Sequence, residues 1–302
     1  MTNKHSQSGQ ATVLTLIFLT VLLGMAALVL DVGAWFRADR AAQSTADAAA
    51  LAGAQELPYD TGSATNFALN YAGKNGGGLL GQGISFGSDV RTNDTITVRL
   101  TRPAPGVFTK IFGISSVNVG AKATARVAPM SEARWVAPIV VNKLHPLLAG
   151  RDCPCFGNQT TLPLGKTGAP GAFGLINLDG SRGGTSPGTL ADWMLRGYDG
   201  YLGLGNYYSD PGAKFNSSQV QSALTQRLGT VLLFPVFDEL NGEGANAYYH
   251  IIGWVGFYLD SFDARGSDGT ITGHFTEIIW EGIQSHSSSD PDFGARSVEL
   301  ID

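Results

Sequence analysis

A run of twenty residues without a charge, ATVLTLIFLTVLLGMAALVL from Ala11 to Leu30, constrains this chain more than any other feature. At a helical rise of about 1.5 Å per residue the run covers roughly 30 Å, the hydrocarbon thickness of a bilayer. A secretory signal has a shorter apolar core, about 7–15 residues, with a small-residue cleavage site just beyond it. Here the nearest small-residue string, Ala48-Ala49-Ala50, lies far downstream. The segment therefore reads as a retained single-pass anchor. The alanine-rich stretch Asp31 to Leu57 prolongs it without a proline, and Pro58 stops it. One helix from Gln10 to Leu57 would reach roughly 70 Å. The chain reads as a membrane-rooted stalk that carries a folded body.

The stalk has a pattern of its own. Ala34, Ala38, Ala41, Thr45, Ala48 and Ala52 recur at alternating intervals of four and three, which places them along one helical stripe. Small side chains in a stripe let a second backbone come close. Arg37, Arg40, Gln43, Asp47 and Glu56 lie off it. The stripe is thus expected to be a helix-packing surface, although alanine is also simply the best helix former.

The remaining residues place the body. Forty glycines and thirteen prolines point to turns and short strands, and charged residues are only 15% of the chain. The net charge of −5, with no lysine or arginine cluster, leaves no footprint for nucleic acid. Three parts are expected: the membrane anchor and stalk helix 1–57, a small α+β unit 58–130, and a β-rich C-terminal domain 131–302. The fold class is therefore α+β, with a long N-terminal transmembrane helix. In the small unit, Ala64, Phe67, Ala68, Tyr71 and Ala72 outline a helical face, and Thr95–Leu100 and Val117–Val127 read as strands. Pro129–Ala133 reads as a joint. In the last part, strands are expected at Trp135–Val141, Thr160–Lys166, Thr230–Phe237, Ala247–Leu259 and Thr270–Trp280, with helices at Leu190–Arg196 and Ser218–Leu228.

The stalk and its neighbours resemble the N-terminal segment of TadG-like proteins, in the TadE/TadG-like group of Flp (tight-adherence) pilus systems. The residues that carry the likeness are Gly9-Gln10, the apolar span, and LVLDVGAWFRADRAAQSTADAAALAGA from Leu28 to Ala54. Within it Asp31-Val32-Gly33, the pair Trp35-Phe36, Arg40 and Ala46–Ala52 fall in the family's order. A weaker likeness runs to about residue 130 through Phe67–Ala72, Asn75-Gly76, Phe108–Gly113 and Val117–Ala125. The string FPVFDELNGEGANAYYHIIGWVGFYL resembles C-terminal regions of the same group. The resemblance implies a minor, pilin-like envelope component that assembles, caps or anchors thin adhesive fibres beside other pilins or pilus-assembly membrane proteins. One departure stands out: prepilins cut after a glycine carry Glu five residues on, and after Gly9 that position is Leu14. Nor does Asp179-Gly180-Ser181-Arg182-Gly183 complete the D-x-S-x-S that opens the metal site of a von Willebrand factor A domain.

Motifs for chemistry are sparse, so no enzyme activity and no cofactor are expected. Cys153 and Cys155, spaced C-P-C, are too few for zinc and either close a small disulfide or remain thiols. His250 and His274 could face each other on adjacent strands near Asp238 and Glu277. Asp238-Glu239, and Asp260, Asp263 and Asp268 around Gly266 and Gly269, lack the spacing of a calcium loop. Tyr198, Tyr201, Tyr207, Tyr208 and Phe215 lie in a glycine-rich region that could offer a glycan or protein contact surface. Met1–Gln10 is expected in the cytoplasm and the body outside it, since long domains cross a membrane largely regardless of charge. The alternative function is a membrane-tethered extracytoplasmic binding protein or hydrolase, with the activity in 131–302.

Overall fold

The computed structural model describes residues 8–150, 153–164, 174–210, 214–264 and 269–301. The fold is α+β, with one long apolar helix at the N-terminus, a few short helices and a β-rich body. The chain divides into two units, Met1–Arg126 with Glu299–Asp302, and Val127–Val298. The long helix thus belongs to the same unit as the small α+β region.

In the first unit, α1 (Ser8–Ala54) is continuous over 47 residues, as the charge-free run followed by alanines predicts. It stops at Ala54, and a turn in which Leu57 N–H donates to the Ala54 carbonyl precedes Pro58. The next helix, α2 (Thr61–Lys74), starts at Asp60, whose side chain accepts from Ser63 N–H at 2.8 Å. That N-cap satisfies a donor the helix cannot use internally. Gly76, Gly77 and Gly78 follow α2 with positive φ, a turn that residues with a Cβ enter only with strain. Strands β1 (Ile84–Gly87), β2 (Thr95–Pro105) and β3 (Ser116–Ala133) form an antiparallel meander. The stretch expected as a joint, Pro129–Ala133, lies inside β3.

Two alanine faces make the helix pair. Ala42, Ala46, Ala49 and Ala50 of α1 and Ala64, Ala68 and Ala72 of α2 are all buried, and α1 packs on both α2 and β2. Phe67 and Tyr71, expected on the inner face of α2, are instead 44% and 40% exposed. The contact is close enough to depend on a missing Cβ. A methyl added at Gly53 would stand 2.9 Å from the Ala64 carbonyl oxygen and 2.6 Å from Ile96 Cδ1.

The β2–β3 hairpin runs along α1, and lengths explain how it reaches. Ile96 lies beside Gly53, and Val107 meets Asp31. Eleven residues of strand at about 3.3 Å each span roughly 36 Å, and twenty-two residues of helix at about 1.5 Å each span roughly 33 Å. The register from Thr95↔Arg126 to Pro105↔Ser116 holds the hairpin straight over that distance.

The second unit holds short strands β4 (Val141–Asn142), β5 (Gln159–Pro163), β6 (Leu202–Gly203) and β7 (Gly205–Tyr208). It also holds the long β8 (Val231–Asn241) and β9 (Tyr248–Asp263), then β10 (Thr270–Thr276), β11 (Ile278–Ile279), β12 (Gly282–Gln284) and most of β13 (Ala295–Leu300). Helices α3 (Pro146–Ala149), α4 (Pro187–Arg196) and α5 (Ser218–Arg227) complete it. The main sheet has the order β4-β8-β9-β10-β5, with β7 on β9. β8 is buried on both faces: Leu232, Phe234 and Val236 join one apolar cluster with Leu190, Met194 and Leu224 of the helices, and Leu233 and Phe237 join another with Tyr249 and Trp254. That double burial is why VLLFPVF reads as an unbroken apolar run rather than an alternation. Ser186 and Ser217 cap α4 and α5. The strand expected at Trp135–Val141 shrinks to β4 with isolated bridges at Val136 and Ile139; Pro138 has no N–H for a ladder, and Trp135 sits at φ 59°.

The close approach at Gly53 yields a paired expectation. Gly53→Ala gains up to about 1 kcal/mol of helix propensity, but overpacking costs about 1–3 kcal/mol. The substitution should lower the thermal midpoint of the full chain in detergent. Gly24→Ala, where a Cβ would meet nothing within 4 Å, should leave that midpoint unchanged or raise it. Equal effects from the two substitutions would show that α1 and α2 are not in contact at Gly53.

Candidate membrane-exit site and packing surface

Asp31 is the first charge after the apolar run, and it is 1% exposed. Its carboxylate accepts three backbone N–H groups from the tip of the β2–β3 hairpin: Val107 at 3.0 Å to Oδ1, Phe108 at 2.9 Å and Thr109 at 2.7 Å to Oδ2. The tip itself is a single 3-10 turn, Thr109–Phe112, closed by Gly113 at φ 83°. Three consecutive N–H groups converge because the turn has no internal partner for them. A buried carboxylate is costly unless it is hydrogen-bonded, and charge-assisted bonds of this kind are among the strong ones. Asp31 therefore fixes the hairpin tip at the residue where α1 leaves its apolar run.

A second tie lies higher on the stalk. Arg102 of β2 donates through Nη2 to the Ala41 carbonyl at 2.6 Å and to Thr45 Oγ1 at 2.8 Å, and through Nη1 to the Gly76 carbonyl at 3.3 Å. Thr45 Oγ1 lies 2.8 Å from the Ala41 carbonyl, a bond it makes back along its own helix. One guanidinium thus joins α1, the glycine turn after α2, and β2. Gln43 Nε2 reaches the Lys122 carbonyl at 2.9 Å.

The expected stripe does not form one continuous free face. Thr45 and Ala52 are buried within the unit, Ala34, Ala38 and Ala48 are half-buried, and Ala41 is exposed. The face that packs internally is rotated from it, through Ala42, Ala46, Ala49, Ala50 and Gly53. Below Asp31 the described helix is largely uncovered: Leu16, Phe18, Leu23 and Val29 are all more than half exposed. One helix of the described chain is long and apolar enough to cross a membrane, and this is it. Between the two regions, Val32, Trp35, Phe36, Asp39 and Val119 line a cleft of about 340 Å³. Trp35 Nε1 is buried there with no hydrogen-bond partner among the described residues.

The other candidates of the sequence lie in the second unit and do not converge. His250 pairs in register with Glu239 and His274 with Tyr258. Eight residues of β9 separate those positions, roughly 26 Å at strand rise. His250 Nδ1 lies 2.8 Å from Asp238, and His274 stacks on Tyr258. Asp238 does not end a strand but lies within β8, also 3.3 Å from Lys143 Nζ. Burial pushes its carboxyl up, and the bonds from His250 and Lys143 outweigh that and hold it below the usual carboxylate range. Among the described residues no His, Cys, Asp and Glu group is placed to hold a metal. The loop of Asp260, Asp263, Gly266, Asp268 and Gly269 falls partly outside the described residues, as do Lys166, Arg265 and the turn 263–266 in part.

A cleft of about 610 Å³ in this unit is lined in part by Val140, Asn142, His145, Leu162, Phe237 and Asp238. Its histidine is already engaged: Nδ1 accepts from Leu147 N–H at 3.2 Å and Nε2 lies 3.2 Å from Thr160 Oγ1. Burial pushes the His145 pKa down. Of the five aromatics expected on a contact surface, only Tyr201 is exposed, at 49%. Tyr198 packs edge-on against Trp193, Tyr207 and Tyr208 pair with β9, and Phe215 is in the core. Burial pushes the Tyr207 hydroxyl up to about 12. Cys153 and Cys155 are joined as a disulfide.

Replacing Asp31 tests the clasp directly. Asp31→Ala should speed amide hydrogen exchange at Val107, Phe108 and Thr109 while leaving the amides of β8 and β9 unchanged. Protection of those three amides equal to that of the parent chain would show that the carboxylate does not hold the tip.

With this geometry in hand, comparison with known proteins gives one match. Residues 9–56 fit the model of the Tad family, described as putative Flp pilus-assembly TadE/G-like. Those residues cover α1 from Gly9 to its end at Ala54 and the two residues after it. No curated protein and no solved structure matches the chain.

Proposed function

From the Tad-type stalk at residues 9–56, we propose that this protein is a minor pilin-like, single-pass membrane component of a Flp-type pilus, which helps assemble, cap or anchor the fibre. One observation carries the reading: the matched segment is one unbroken helix, apolar and uncovered before Asp31, alanine-rich and braced after it. A helix uncovered over its first half needs either lipid or other helices around it. Small residues let other helices approach closely. Ala34, Ala38 and Ala41 are the stripe positions that the unit leaves at least partly uncovered on the lower stalk. The partners are other pilins or pilus-assembly membrane proteins. The body lies on the extracytoplasmic side, where a disulfide such as Cys153–Cys155 persists. The alternative, a tethered binding protein or hydrolase, draws on the cleft beside His145. That cleft's histidine and aspartate are hydrogen-bonded within the chain, which supports it less.

Deletion of the gene in a piliated strain should reduce pilus number or length, and re-expression of the parent chain should restore it. Re-expression of Ala38→Leu with Ala41→Leu should give a stable protein at parental abundance that fails to restore piliation. Unchanged pili after deletion would remove the pilus role. Full rescue by the leucine variant would remove the stripe from it.

A further inference from the structure

The hairpin tip exposes side chains that a water-facing turn has no use for. Ile111 is 82% exposed, Phe112 78%, Val107 65% and Ile114 45%. Their height is not arbitrary, because the three N–H bonds to Asp31 pin the tip at the residue that follows Leu30. On the reading of Ala11–Leu30 as a membrane span, on which this inference rests, that height is the bilayer surface. We propose that the tip is a second membrane contact, with Ile111 and Phe112 seated at the headgroup–acyl boundary beside the point where α1 emerges.

Three further features fit lipid as the occupant. Lys110, exposed between the apolar residues, can hold its stem along apolar surface and its ammonium among headgroup phosphates. Gly113 turns the chain at φ 83° directly after Phe112, so the two apolar side chains project from one tight bend. Trp35 and Phe36 stand about one helical turn beyond Asp31, the depth at which aromatic belts flank membranes. The contact would be continuous with that of α1 itself. A single helix can rotate and tilt in a bilayer, and a lateral apolar anchor held to it by Asp31 would fix its rotation and therefore which stalk face meets a neighbour.

The test uses the full chain in nanodiscs of anionic phospholipid, with Cys153→Ser and Cys155→Ser so that one added thiol carries an environment-sensitive fluorophore. The positions are Ile111→Cys at the tip, Leu22→Cys within the span, and Asn118→Cys on the exposed part of β3. Ile111 should show blue-shifted emission relative to Asn118 and loss of intensity with lipids spin-labelled near the headgroup. Leu22 should lose intensity with lipids labelled deep in the chain. Adding Phe112→Asp should reduce the quenching at Ile111 and leave Leu22 unchanged. An Ile111 probe as unquenched as Asn118, with Leu22 quenched, would overturn the inference and leave the span standing. A blue-shifted but unquenched Ile111 would mean that protein covers the tip, and would overturn it equally. An unquenched Leu22 would overturn the span and the inference together.

Discussion

A carboxylate at the edge of an apolar helix governs the first unit. Asp31 has no cation beside it among its described contacts; it is satisfied by three backbone donors that a tight turn leaves free. Each side solves the other's problem, since buried N–H groups and a buried carboxylate are both costly alone. The bond set also decides the register of the long hairpin against α1. With the tip fixed at Asp31 and Ile96 wedged beside Gly53, the strand and helix segments between must agree in length, and at standard rises they do. Arg102 sits between these ends and ties the hairpin to α1 midway. A stalk braced at three heights is stiffer than an isolated alanine helix, which in water depends on length and temperature for its helicity.

Alanine serves two purposes along this helix, and they compete for the same residues. It favours the helical backbone, and it permits the approach of α2, whose Ala64, Ala68 and Ala72 are fully buried against the stalk region. Each alanine contributes little apolar area, so the packing relies on many close dispersion contacts rather than on a few large side chains. Gly53 is the limiting case, where even a methyl does not fit. One face of the upper half of α1 is therefore committed internally, while Ala34, Ala38 and Ala41 on another face stay at least partly uncovered.

What could be read from the residues follows from how local each cause was. The charge-free run and Pro58 announced α1 and its end, and the segments read as helices at Leu190–Arg196 and Ser218–Leu228 fall on α4 and α5. The strands read at Thr230–Phe237 and Ala247–Leu259 fall on β8 and β9, which pair as a hairpin. The role of Asp31 was hidden because its partners lie 76–78 residues away and offer only backbone, which carries no sequence signal. The face that meets α2 was not legible because the stalk has more than one alanine row, and spacing alone does not say which row meets α2. The histidines failed to meet because adjacency in a sheet is set by register, and β9 places His250 eight residues from Tyr258, the register partner of His274. Pro129–Ala133 resembled a joint from its proline, but β12 and β6 pair with Met130, Glu132 and Ala133 there, which the sequence gives no local reason to expect.

Several ionisable groups of the second unit are held in internal ion pairs and hydrogen bonds. Arg296 bonds Asp292 and Glu277, Arg134 is paired with Asp199 and Glu281, and Asp210 holds Thr185 and Lys214. Asp210 is fully buried, and the Lys214 ammonium and the Thr185 hydroxyl offset the cost of burying it. Hydrogen bonds in such clusters fix loop positions. Catalysis would instead need a group held near a reacting atom with its pKa tuned to the working pH. His145 has the lowered pKa of a buried ring, but both of its nitrogens are occupied by groups that position the start of α3 and the neighbouring strand β5.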